Sequence, residues 1–325
     1  MHSSKKIFRF IAVICVFAIA IWGLDFLLYP CTFIRNDLHA VLEEPMDDVY
    51  LGTSHGRMNI DPDKVGEITG TKGHVLAVGG EYAIDAYYMT KLMIEKQKPK
   101  RIIYEVSPGY FMTEKEEGNN YLLFYHEFPL SMAKLEYFKA ALFKTNFRTM
   151  LFPWYEYPLD YELGRISKTV FQKWNHNYDP AYLKSSTQEY HENGFIERYP
   201  VDTTTMAKDK ITSFDEAKIK TTNMEYLDKL VTLCRDNDIE FIAVTTPMPL
   251  DSLIEYEEEF KAAWKYFGSF FAERDVQYFN FNVELFQAFP HDLELFTDYD
   301  GHMNGDAARE FSTVLGKVFM ANRRD

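Results

Sequence analysis

Residues 48–57 read Asp48-Val49-Tyr50-Leu51-Gly52-Thr53-Ser54-His55-Gly56-Arg57. A few β-branched and aromatic residues closed by glycine and hydroxyl side chains form the pattern of a short strand running into a turn. The pattern recurs at 74–78 (HVLAV), 101–106 (RIIYEV), 239–245 (IEFIAVT) and 276–280 (VQYFN). Helix-period segments lie at 83–97, 223–237, 255–273 and 305–321. Lys98-Pro99-Lys100 stops the first of these helices and Asn237 the second. Such alternation predicts an α/β fold, with a central parallel sheet between two helical layers.

One segment interrupts the rhythm. Residues 110–220 hold 23 Phe, Tyr and Trp, about a fifth of the segment against 16% of the whole chain. No strand pattern is evident there, so the segment is expected to be an aromatic-rich, mainly helical insertion in one domain spanning 45–325. Its rings are expected to pack onto the sheet; a glycan-facing surface is the alternative, since aromatic faces stack on flat ligands.

The start of the chain sets its place in the cell. Residues 10–29 (FIAVICVFAIAIWGLDFLLY) are apolar except for Asp25. Twenty helical residues at about 1.5 Å each span the hydrocarbon core of a bilayer. Lys5, Lys6 and Arg9 precede the run, whereas Asp37, Glu43, Glu44, Asp47 and Asp48 follow it. The positive-inside rule then puts the N-terminus in the cytoplasm and everything beyond Tyr29 outside. Ala18-Ile19-Ala20 resembles a signal cleavage site, but the apolar run continues past it, which favours an uncleaved anchor over residues 1–30.

Composition excludes several function classes. With 35 basic and 49 acidic residues the net charge is −14, which argues against nucleic acid or an anionic membrane surface as the main partner, because both would repel it. Three cysteines make no disulfide framework, zinc spacings are missing and the nine histidines are scattered. No metal or cofactor is therefore expected. Gly79-Gly80 follows a strand without completing a nucleotide-binding loop.

Two blocks carry chemistry. In open α/β sheets, ligands bind at the carboxyl ends of strands, where Gly52-Thr53-Ser54 lies. A serine hydroxyl needs a histidine base oriented by a carboxylate. Such a base stands before the last helix, in Thr297-Asp298-Tyr299-Asp300-Gly301-His302-Met303-Asn304. Both Asp300 and Asp298, in the same loop, are candidate orienters.

These blocks, with Asn59-Ile60-Asp61-Pro62 downstream of Ser54, resemble the SGNH/GDSL hydrolase superfamily. More narrowly they resemble membrane-anchored envelope proteins of teichoic acid D-alanine transfer and alginate O-acetylation. The resemblance implies a flavodoxin-like three-layer sandwich, with Ser54 as nucleophile, His302 as base and Asp300 as orienter. It further implies that Gly79 (or Gly80), Ser107 and Asn304 surround the oxyanion and substrate. The family's asparagine donor after the third strand is missing, and Ser107-Pro108 stands there. The expected activity is an extracytoplasmic esterase or O-acyltransferase on an envelope glycan or polymer, partnered by a membrane-bound O-acyltransferase. The alternative is a non-catalytic assembly or glycan-binding protein on the same fold. Glu105 reads as structural or as a support behind the residues of the site, and Arg57 as either a salt-bridged residue or a contact for an anionic substrate.

Overall fold

In a computed structural model describing residues 2–115, 123–143, 163–208, 211 and 214–323, the five predicted stretches pair into one all-parallel sheet. Helices α1 (His2–Leu28) and α2 (Phe33–Glu43) precede strand β1 (Asp48–Leu51). Helices α3 (Ser54–Asn59) and α4 (Pro62–Thr69) lead to β2 (Gly73–Val75), and α5 (Ala83–Lys96) leads to β3 (Arg101–Glu105). The segment after β3 contains α6 (Gly109–Met112), α7 (Leu123–Glu127), α8 (Met132–Tyr137), α9 (Leu163–Trp174) and the strands β4 (Gln188–Tyr190) and β5 (Ile196–Arg198). Then come α10 (Thr221–Asp236), β6 (Glu240–Thr245), α11 (Leu250–Glu255), α12 (Glu257–Ala272), β7 (Gln277–Asn280) and α13 (Gly305–Ala321). The sheet order is β2-β1-β3-β6-β7.

The period of two along each strand divides the core. Val49, Leu51, Ile102, Tyr104, Phe241 and Ala243 pack with apolar residues of α2, α5, α10 and α12. Their neighbours Tyr50, Val75, Ile103, Ile242 and Val244 pack with α4 and α13. Helix α13 buries Ala307, Ala308, Phe311, Leu315 and Phe319, the stripe that a 3.6-residue period requires.

One expectation needs correction and another a refinement. The sequence pattern predicts the second strand over 74–78, but ladder pairing ends at Val75. From Leu76 the chain stays beside β1 through single bonds, Leu76 N and Ala77 N to Tyr50 O and Val78 N to Gly52 O. The insertion is not only helical, since β4 and β5 form an antiparallel hairpin. Many of its described aromatics are core: Phe111, Phe124, Phe128, Tyr137 and Phe195 are all buried. The aromatics at 121 and 147–161 lie outside the described residues.

Arg57 is fully buried and meets no solvent-borne anion. It pairs with Asp37 at 2.8 Å and donates to Ala77 O and Gly194 O. Asp37 also faces His74 Nε2 at 3.0 Å and accepts from the Tyr190 hydroxyl at 2.7 Å. This polar knot ties α2, α3, β2 and the hairpin together, because a buried charge left without its partner costs about 3–5 kcal/mol.

One N-terminal helix is long and apolar enough to cross a membrane. Lys5–Leu28 has a mean hydropathy of 2.6 over its best window, none of it buried against the rest of the protein.

Candidate active site

The turn after β1 presents Ser54. Gly52 has φ +125°, and a Cβ there would lie 2.7 Å from Glu105 Cβ and O, so only glycine lets the chain pass β3 this closely. Two buried carboxylates hold the turn. Glu81 accepts from Gly52 N at 3.0 Å, and Glu105 accepts from Thr53 N at 2.9 Å and Thr53 Oγ1 at 2.7 Å. Burial, then nearby Asp85, pushes the Glu81 carboxyl well above the ordinary range. Glu105 thus supports the turn that carries Ser54.

Facing the turn is the loop before α13. It closes on itself through an antiparallel bridge between Phe296 and Met303 and through Thr297 N donating to His302 O at 2.7 Å. Gly301, at φ +96°, lets it turn back sharply. Asn59, buried at the end of α3, clamps both sides of the histidine. Its Nδ2 donates to Gly301 O at 2.9 Å and its Oδ1 accepts from Met303 N at 2.8 Å.

This packing brings together residues 248 positions apart: His302 Nε2 is 2.8 Å from Ser54 Oγ. The orienter differs from the expectation. Asp298 Oδ2 lies 2.8 Å from His302 Nδ1, and Asp298 Oδ1 accepts from His302 N at 3.1 Å. Asp300 instead turns to His55, its carbonyl 2.5 Å from His55 Nε2 and its carboxylate 4.0 Å away. The reason is local. Asp298 lies four residues before His302, and the tight loop brings its carboxylate to the Nδ1 edge of the ring, whereas Asp300 at its tip faces His55 and is half exposed.

The charges favour a neutral base beside an ionised orienter. Burial raises Asp298, but the His302 hydrogen bond and charge and the Arg198 guanidinium outweigh it, holding the carboxyl well below its usual range. Arg198, from β5, lies 2.7 Å from Asp298 Oδ2. Burial, then the charge of His55, lowers His302, against the opposing pull of Asp298. His55 stacks on His302, with ring centroids 4.5 Å apart and planes 4° from parallel. Burial pulls His55 down, but Glu105 and Asp300 outweigh it and the net shift is upward.

The remaining expected residues divide. Gly79 sits against the nucleophile, a Cβ built on it lying 3.6 Å from Ser54 Cβ. Ser107 lines a cavity of about 330 Å³ that also opens onto Ser54, His55, Tyr110, Phe214 and Phe260. Asn304 does not face this cavity; it is the N-cap of α13, accepting from Ala307 N at 3.1 Å and donating to Glu294 O at 2.9 Å. Its placement around the substrate is thereby corrected, since its side chain instead satisfies a helix amide that has no intrahelical partner. Sequence reading missed His55 and Arg198. His55 immediately follows the nucleophile, a signal in plain sight, but nothing local marks Arg198.

His55, Asp300 and His302 each offer a ligand atom, all within 4.8 Å of one another, so the cluster has the dimensions of a cation site. His302, however, already engages both ring nitrogens, with Ser54 and with Asp298. A cation there would displace one of these contacts. The arrangement as it stands is that of a hydroxyl poised for proton transfer to a neutral imidazole.

No family model matches this sequence, and neither does any curated protein sequence.

Proposed function

We propose that the protein is a membrane-tethered, extracytoplasmic serine esterase or O-acyltransferase of SGNH type, built as a three-layer sandwich and acting on acyl esters of an envelope glycan or polymer. The observation that carries the reading is the 2.8 Å contact between Ser54 Oγ and His302 Nε2, continued at 2.8 Å to Asp298.

In this mechanism Ser54 Oγ attacks the acyl carbonyl while His302 Nε2 takes its proton. Asp298 fixes the tautomer and stabilises the imidazolium that forms. Backbone N–H groups of Ser54 and Gly79 receive the oxyanion, with the Ser107 hydroxyl at the rim where the family carries asparagine. A missing donor of this kind costs about 3 kcal/mol of barrier. His302 then protonates the departing alkoxide, leaving an acyl group on Ser54. Water or a sugar hydroxyl, deprotonated by the same histidine, releases it.

The N-terminal helix supports a substrate or partner at the membrane face, where a membrane-bound O-acyltransferase would supply acyl groups. The test is hydrolysis of short-chain aryl esters by the purified full-length chain, with and without a hydroxyl-rich glycan acceptor. Turnover that vanishes in folded Ser54→Ala is expected, and acylated acceptor among the products would assign transfer. Folded wild-type protein inert toward every ester would instead favour a non-catalytic assembly partner.

A further inference from the structure

Helix α9 is inside out. At about 100° per residue, Leu163, Val170 and Trp174 stand within about 40° of one another, and Gln172 faces the opposite side. In a helix packed on a protein core the apolar stripe is buried. Here Leu163 is 84% exposed and Trp174 76%, whereas Gln172 is 6% exposed. The neighbouring segment repeats the anomaly, with Leu130 86%, Met132 61% and Phe143 62% exposed.

Both surfaces sit where α1 ends. Lys173 Nζ donates to Asp25 O at 3.2 Å and Phe26 O at 2.9 Å, fixing α9 to the last turns of α1. His126 of α7 faces Asp25 at 3.1 Å, and Lys134 of α8 donates back to Phe128 O at 2.7 Å. Residues 130–143 and 163–174 carry five Lys and Arg against one Glu, in a chain of net charge −14. An apolar face with a terminal tryptophan and basic flanks suits the boundary between headgroups and acyl chains.

We propose that α9 and residues 130–143 lie on the bilayer surface, with Leu163, Phe171 and Trp174 inserted beneath the headgroups of anionic phospholipid. The proposal rests on the reading that α1 spans the membrane. The insertion then supplies a second membrane contact in addition to the anchor, and the two together fix the height and tilt of the Ser54 cavity above the bilayer. A single spanning helix would leave the domain free to swivel.

The test uses the full-length chain, with Cys15→Ser, Cys31→Ser and Cys234→Ala, reconstituted into phosphatidylcholine–phosphatidylglycerol vesicles. A nitroxide is placed in turn at Leu163→Cys, Trp174→Cys, Ile254→Cys and Val16→Cys, with folding checked by circular dichroism. Collision with oxygen is then compared with collision with a water-soluble nickel chelate. The expected result is a several-fold oxygen preference at 163 and 174, as at 16, and the reverse at 254. Aqueous ratios at 163 and 174 beside a lipid-buried Val16 position overturn the surface contact and leave the anchor standing. An aqueous Val16 position overturns the anchor and this proposal with it. Spin–spin broadening at 174 that disappears on dilution with unlabelled protein puts a second copy on this face and overturns the lipid assignment.

Discussion

Arg198 Nη1 and His302 Nδ1 converge on one oxygen, Asp298 Oδ2, at 2.7 and 2.8 Å. The insertion thus reaches into the site through its hairpin, since Arg198 ends β5. In the proposed mechanism, the segment between β3 and β6 adds an outer partner to the Ser54–His302–Asp298 chain.

The two aspartates of that loop should separate cleanly. Asp298→Asn replaces the carboxylate by a neutral amide that can favour the wrong tautomer of His302 and no longer stabilises its imidazolium, and should lower kcat by about 10⁴-fold, the usual effect of that change in a serine triad. Asp300→Asn keeps the backbone carbonyl that faces His55 and should cost less than about 10-fold. Steady-state kinetics on one aryl ester decides; the reverse order would return the orienter's role to Asp300.

Arg198→Gln keeps the carboxylate but loses its outer partner. A partly exposed pair contributes about 1 kcal/mol, which is roughly 5-fold in rate if it acts wholly on the relay. A fall of that size in kcat with little change in KM or in melting temperature is expected. An unchanged kcat would make Arg198 a surface contact only.

How much of this was legible in sequence follows from how local each signal is. Five strands, Ser54 and His302 are marked by residues beside them: β-branched runs, Gly52 and the loop before a strongly amphipathic helix. The choice between Asp298 and Asp300 is not, because it depends on the loop closing through Phe296 and Met303 and on Gly301 at positive φ. Both aspartates have the right chemistry, and only the turn selects one. The hairpin is hidden because its strands are three residues long and partly polar, too short for a period of two to show. Asn304 misleads because a capping asparagine and a substrate-binding one look alike until Ala307 N is seen to use it.

pH dependence tests the histidine pair. His302 must be neutral to accept the Ser54 proton, and its pKa is lowered by burial and by His55. The acid limb of kcat/KM should therefore lie below the ordinary histidine range, with activity retained as pH falls through it. His55→Gln removes the positive charge stacked on the ring, so the His302 pKa rises and the limb moves to higher pH. Arg198 acts in the same direction as His55, and Asp298 opposes both. A limb that stays put, or moves down, would show that His55 does not act on His302 through its charge.

Divalent zinc separates the relay from metal chemistry. His55, Asp300 and His302 lie close enough to bind a cation, and binding would occupy the base. Added zinc should inhibit, a chelator should leave untreated enzyme fully active, and His55→Gln should weaken the inhibition. Loss of activity on chelation, restored by zinc, would mean that the cluster is a metal site.

The most direct test is covalent. A fluorophosphonate reacts with a serine only when its hydroxyl is activated, so labelling the full-length chain and mapping the adduct by mass spectrometry reads the Ser54–His302 contact itself. The account predicts one adduct, on Ser54, lost in Ser54→Ala and slowed by orders of magnitude in folded His302→Ala. The Ser54→Ala/His302→Ala pair should turn over ester scarcely more slowly than Ser54→Ala alone, because members of one catalytic unit are not additive. Folded wild-type protein left unlabelled at Ser54, or labelled equally fast without His302, would contradict it.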